Sequence, residues 1–171
     1  LIHCDDQTRK CAAKMAKFGI LAAIQPTAAN IVFGWNTPVL SDREEIFNYQ
    51  AYADLGAIQT GGSDSTCFSL NWRQGMQFAV TRTTPAGVSA RTDLGMSRED
   101  AIRMYTINGA CQEHMEHRRG SIEVNKVADF QILDKTVMTC PADEIGTAGI
   151  DLTICGGRVV YAKEHSDRRI F

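Results

Sequence analysis

The sequence predicts an α/β fold, a series of parallel βα units followed by a small β subdomain. Three observations carry this. Short apolar runs, above all Ile20 to Ile24, have the length and composition of parallel strands buried on both faces. Segments with helical periodicity separate them, and a strand–helix–strand–helix order argues for parallel βα units. From Gly120 onward the chain changes character, and two strand-like runs flank Gly156-Gly157, a two-residue hairpin signal.

In chain order, Leu1-Ile2 reads as the stub of a strand ending at His3. A helix follows over Gln7 to Phe18, with Asp6 as N-cap and Gly19 just past its end. After the strand Ile20 to Ile24, a loop-like stretch runs from Gln25 to Leu40, and a loop of this length usually covers a site. Ser41-Asp42-Arg43-Glu44 has capping-box spacing and opens a helix that Gly56 ends. The strand Ala57 to Thr60 leads into Gly61-Gly62-Ser63-Asp64. A helix over Trp72 to Thr83 places Met76, Ala79 and Val80 on one face. Ser97 caps a helix from Arg98 to about Thr106, and a shorter one runs from Asn108 to near His114. In the last segment, Ser121 to Val124 and Ala128 to Leu133 read as strands joined by a turn at Asn125-Lys126. Ile150 to Cys155 and Arg158 to Tyr161 form the hairpin.

Composition narrows the class. The 171 residues suffice for one ordinary domain or part of a larger one. Hydrophobic residues make up 44% and charged residues 22%, the balance of a globular protein. A net charge of −2 gives no basis for a nucleic-acid or anionic-membrane partner. No apolar run approaches the length of a transmembrane helix, and no signal- or transit-peptide pattern opens the sequence at Leu1. The six cysteines are scattered without a CxxC pair, which fits buried free thiols in a reducing cytoplasm rather than a disulfide framework.

Two residues stand out as candidates for chemistry. His3 ends the first strand stub and Asp64 ends the third strand, so on parallel strands of one sheet both reach the carboxyl-end face. Imidazole and carboxylate are ordinary zinc donors. The bland alternatives are a solvated histidine at 3, and an Asx turn or helix cap at 64. Cys111, His114 and His117 share helical spacing, but the charged run Glu113 to Arg119 reads as a solvated helix end. Cys67 lies near Asp64 without an identifiable activating base. Phe33 and Trp35 are either a substrate wall or loop anchors.

A series of motifs follows in order: Ile24-Gln25-Pro26-Thr27, Gly62-Ser63-Asp64, Ala79-Val80-Thr81-Arg82 and Tyr105-Thr106-Ile107-Asn108. The block Gly120 to Phe130 (GSIEVNKVADF) and then Gly156-Gly157-Arg158-Val159-Val160-Tyr161 complete it. The series resembles the C-terminal half of the amidohydrolase superfamily, in the branch related to N-substituted formamide deformylases known as amidohydrolase family 3. The resemblance implies the C-terminal portion of a (β/α)8 metal-dependent hydrolase barrel, about its last three βα units over residues 1–119. A small β-sandwich subdomain over 120–171 would complete the chain. It implies that His3 is the metal-binding histidine ending the sixth strand and Asp64 the aspartate ending the eighth, with zinc, one or two divalent ions, as cofactor. Asp64 would take the proton of the attacking water and return it to the leaving nitrogen. The implied substrate is a small molecule with an amide-type, non-peptide C–N bond.

Three departures from the family pattern stand out. Ala28 stands where a histidine often follows Gln-Pro-Thr, Ser65-Thr66 replace a small residue and proline, and Asn125 replaces a glycine. The family's His-x-His pair, its bridging lysine or glutamate and its fifth-strand histidine have no counterpart here. A full barrel takes ~250 residues. The expectation is therefore a piece of a larger molecule, completed by an N-terminal half or a partner copy and inactive by itself. The competing reading is a non-catalytic structural or interaction module derived from the same fold.

Overall fold

The computed structural model describes residues 1–5, 9–28, 47–84, 86–89 and 91–163. The expected cap at Asp6, most of the long loop, the capping box at Ser41 and the aromatic pair Phe33 and Trp35 lie outside these residues. Helix α1 (Arg9–Phe18) buries Ala12 and Met15, one turn apart. It ends at Gly19, whose φ of 64° no β-carbon opposes. The N–H of Gly19 reaches the Ala16 carbonyl at 3.3 Å and that of Ile20 the Met15 carbonyl at 2.9 Å, a Schellman closure. Strand β1 (Ala22–Ile24) follows at once.

The next unit repeats the device. Helix α2 (Tyr49–Asp54) is capped by Asn48, whose side chain accepts the Ala51 N–H. It closes on Gly56 and Ala57 with the same pair of bonds, to Ala53 and Tyr52. Strand β2 (Gln59–Gly61) then pairs parallel with β1, Ala22 opposite Gln59 and Ile24 opposite Gly61.

On the other side of β1 lies the stub. The Leu1 nitrogen donates to Leu21 O at 2.9 Å, and the Ala23 N–H donates to Leu1 O at 2.8 Å. A regular parallel ladder would next bond the His3 N–H to Ala23 O, yet the Cys4 N–H makes that bond, at 3.0 Å. One residue is looped out, and His3 takes a φ of 54°. The stub and β2 thus flank β1 and all three run the same way.

Helix α3 (Trp72–Thr81) packs on the Pro26–Ala28 turn that follows β1 and on α4 (Arg98–Met104), while α4 and α5 (Ile107–Gln112) pack on β2. Ser97 caps α4 as expected, accepting the Asp100 N–H. Ile24, Tyr49, Tyr52, Met76, Phe78 and Met104 form one buried cluster, to which Val137, Ile145 and Ala148 of the later segment also belong. Arg98 extends that joint. Its guanidinium donates to the carbonyls of Val137 and Cys140, each at 2.6 Å.

The last segment needs one correction, at Ser121 to Val124. The strands β3 (Phe130–Leu133), β4 (Ile150–Cys155) and β5 (Arg158–Ala162) form one antiparallel sheet in the order β3-β4-β5. The second layer that a β-sandwich requires is missing among the described residues, and Ile132, Val159 and Val160 remain exposed. Ser121 to Val124 is not a strand. Its alternating apolar residues Ile122 and Val124 are each 90% exposed, because no neighbouring strand takes up their backbone. The turn at Asn125 does form, with φ 72°. Gly156 and Gly157, at φ 56° and 76°, make the hairpin turn.

None of the six cysteines forms a disulfide. None is buried: Cys11, Cys67 and Cys155 are exposed and the others half-buried, so burial is not what keeps them apart. Among the described residues no helix is long and apolar enough to cross a membrane.

Candidate functional site

The site lies at the carboxyl end of the three parallel strands. His3 and Cys4 leave the stub beside Ala23, while Gly62 leaves β2 with its N–H on the Ile24 carbonyl at 2.8 Å. Asp64 comes two residues later. The structure therefore sets His3 and Asp64 on either side of the end of β1, and both are exposed.

Both also occupy left-handed backbone, at φ 54° and 50°. Non-glycine residues take this conformation rarely, with histidine and aspartate among the more tolerant. At Asp64 the local turn uses the backbone alone, since the Cys67 N–H bonds the Asp64 carbonyl at 2.9 Å. No hydrogen bond or ion pair engages the Asp64 carboxylate or the His3 imidazole among the described residues. The turn and cap alternatives for Asp64 thus lack the side-chain bond they require.

Beneath this pole runs a buried polar layer. Asp5 Oδ1 accepts the N–H of Gln25 at 2.7 Å and the hydroxyl of Tyr49 at 2.9 Å. Burial pushes the Asp5 carboxyl above its usual range, opposed by these two donors and by His3. Burial likewise drives the Tyr49 phenol well above its ordinary value, and the adjacent Asp5 adds to the shift. Tyr105 is raised by burial first and by Asp5 second. Sequence reasoning weighed Asp6 in this segment and passed over Asp5. An acid two residues beyond a strand-ending histidine was the available signal.

Next to Gly61, Gly62 and Ser63 is a cavity of ≈ 210 Å³, walled by Thr27, Leu70, Trp72 and Tyr105. Trp72 stacks at a tilt on Tyr105, with centroids 5.8 Å apart, and its indole N–H donates to Gln131 of β3 at 2.9 Å. The small sheet thereby fixes one wall. A second hollow of ≈ 160 Å³ opens at the opposite end of β2, beside Ala57 and Ile58. Its one carboxylate, Asp100, is engaged by Ser97 and Gln50.

The donor chemistry at the pole fits a divalent cation of the zinc type, but only in part. Among the described residues no group of three His, Cys, Asp or Glu side chains converges, while catalytic zinc takes three protein ligands. Neither Cys67 nor the pair His114 and His117 joins the site into such a group.

Comparison with known proteins places the chain in a family and a fold. The profile of the amidohydrolase family matches residues 1–161. An N-substituted formamide deformylase from Arthrobacter pascens is 29% identical over 159 residues, covering 90% of this chain and 29% of that protein. The chain thus spans about a third or less of the length of that relative. A solved amidohydrolase from Thermotoga maritima superposes with a TM-score of 0.65 at 16% identity, over 95% of this chain and 36% of that one. A variant of atrazine chlorohydrolase from Arthrobacter aurescens, solved with zinc and atraton, gives 0.66 at 20% identity, over 96% and 36%. At these identities the two structures speak for the fold alone, and their coverage fits a partial fold.

Proposed function

Because the chain belongs to the amidohydrolase family, we propose that it supplies the C-terminal part of a metal-dependent hydrolase. The enzyme would cleave a non-peptide C–N bond of an amide-type small molecule. The observation that carries this reading is the pair His3 and Asp64, two exposed donors in left-handed backbone at the ends of parallel strands flanking β1. Neither has another bond to make among the described residues.

In the complete molecule His3 and Asp64 would help hold zinc, as one or two divalent ions. A bound zinc ion supplies Lewis acidity that brings the pKa of a water towards ~7. Asp64 accepts the proton of the attacking water through its carboxylate and returns it to the leaving nitrogen. His3 would offer the metal a ring nitrogen, an ordinary zinc donor. Trp72, Leu70 and Tyr105 shape an apolar wall beside Gly62 and Ser63, the residues leading to Asp64, and it suits a hydrocarbon substituent. Ala28 adds no polar group at the end of the Pro26–Ala28 turn. The remaining ligands come from outside these residues, from the rest of a longer chain or from a second copy. The free thiols are consistent with the cytoplasm as the place of work.

The test uses the full chain that carries these residues, assayed for bound metal and for hydrolysis of an N-substituted formamide. Asp64→Asn is expected to lower the rate by about 10²–10⁴-fold, the range for a lost general acid–base. A full chain that binds no metal, or an Asp64→Asn variant with undiminished hydrolysis of an amide it cleaves, would sink the reading. Residues 1–171 alone, with two donors, should show no turnover.

A further inference from the structure

We propose that Asp5 is a positioning residue for His3, acting through its hydrogen bonds and not through its charge. The proposal rests on the reading of His3 as a metal ligand. The extra residue in the stub forces His3 into left-handed backbone, a conformation that persists only where its surroundings hold it. β-Bulges commonly re-aim a side chain beside an active site in this way.

Two restraints bear on His3. Directly after His3, the Cys4 N–H is bonded to Ala23 O at 3.0 Å. One residue further on, Asp5 is pinned by a single oxygen. Its Oδ1 takes both the Gln25 N–H at 2.7 Å and the Tyr49 hydroxyl at 2.9 Å. Gln25 directly follows β1, and Tyr49 opens α2 with 1% of its surface exposed. One carboxylate oxygen therefore ties the chain after His3 to the end of the central strand and to a helix rooted in the core. Removing the tie frees the bulge to relax, and the imidazole loses its fixed place at the pole. Groups that orient a ligand from behind typically govern metal affinity by 10–100-fold.

The chemistry of the two acceptor bonds makes the test sharp. Asparagine at 5 keeps an Oδ1 that can accept both donors and removes only the charge, whereas alanine removes both bonds. In the full chain, zinc affinity is measured by chelator competition and site geometry by the visible spectrum of the cobalt(II)-substituted protein. His3→Ala, Asp5→Ala, Asp5→Asn and Tyr49→Phe are compared below their unfolding temperatures. Asp5→Ala is expected to weaken zinc binding about 10–100-fold with an altered cobalt spectrum. Tyr49→Phe should weaken it less and change the spectrum in the same direction, and Asp5→Asn should restore near-parental behaviour.

A folded Asp5→Ala protein with parental affinity and spectrum overturns the proposal and leaves the hydrolase reading intact. Should Asp5→Ala not fold, an unchanged Tyr49→Phe protein overturns it equally. Asp5→Asn as weak as Asp5→Ala refutes the hydrogen-bond account. A His3→Ala protein that binds zinc as tightly as the parent overturns both this proposal and the ligand role on which it rests.

Discussion

Gly75 sits inside α3, where helix propensity favours alanine by about 1 kcal/mol. Tertiary packing reverses the sign. A β-carbon at 75 would overlap the Tyr105 hydroxyl oxygen and lie 3.3 Å from its Cζ and 3.5 Å from Thr27 Cγ2. The ring has no room to retreat, because a β-carbon at Gly61, on its other side, would lie 2.6 Å from the same Cζ. Tyr105 is thus threaded between two glycines. Overpacking of this kind costs ~1–3 kcal/mol. Against the propensity gain, Gly75→Ala should lose up to ~2 kcal/mol of stability.

The buried Tyr105 hydroxyl has no hydrogen-bond partner among the described residues. Tyr105→Phe should therefore be neutral or slightly stabilising. Combined with it, Gly75→Ala meets Thr27 Cγ2 at ordinary contact distance and Cζ at a tight 3.3 Å that a small ring shift relieves, so it should recover part of its propensity gain. Urea denaturation of the four proteins, as the full chain, measures the cycle. The coupling should be about 1–3 kcal/mol in favour of the double variant. A Gly75→Ala protein at least as stable as the parent, or strictly additive effects, would refute the threading argument.

Arg98→Lys keeps the charge but loses the fork that holds the carbonyls of Val137 and Cys140. A loss of about 1.5–3 kcal/mol is expected, with faster proteolysis of the segment between β3 and β4 as the direct readout. At Asn125, φ 72° suits glycine and asparagine and opposes a branched side chain. Asn125→Val should cost ~1–2 kcal/mol in thermal or urea unfolding, while Asn125→Gly should stay within about 0.5 kcal/mol of the parent.

Much of the fold was legible because local chemistry and tertiary need coincide. Gly19 and Gly56 announce helix ends, and the structure uses both as left-handed caps immediately before strands. Asp64 could be placed at a strand end because the glycines before it stop an apolar run. The one strand that failed has a physical cause. Ile122 and Val124 alternate like a strand, but alternation states only which way side chains point, and a strand exists only where another strand accepts its hydrogen bonds. Asp5 escaped notice because its partners, Gln25 and Tyr49, are far along the chain and no periodicity links them.

The sequence by itself determined the order of βα units, their punctuation, and the kinds of donor that end the strands, since these depend on near neighbours and side-chain chemistry. Only the tertiary structure decided that His3 occupies an extra, left-handed position, that no described residue bonds the Asp64 carboxylate, and that one oxygen of Asp5 ties the pole to the core. Those outcomes depend on which backbone groups meet across the sheet, and such meetings are set by packing among distant segments.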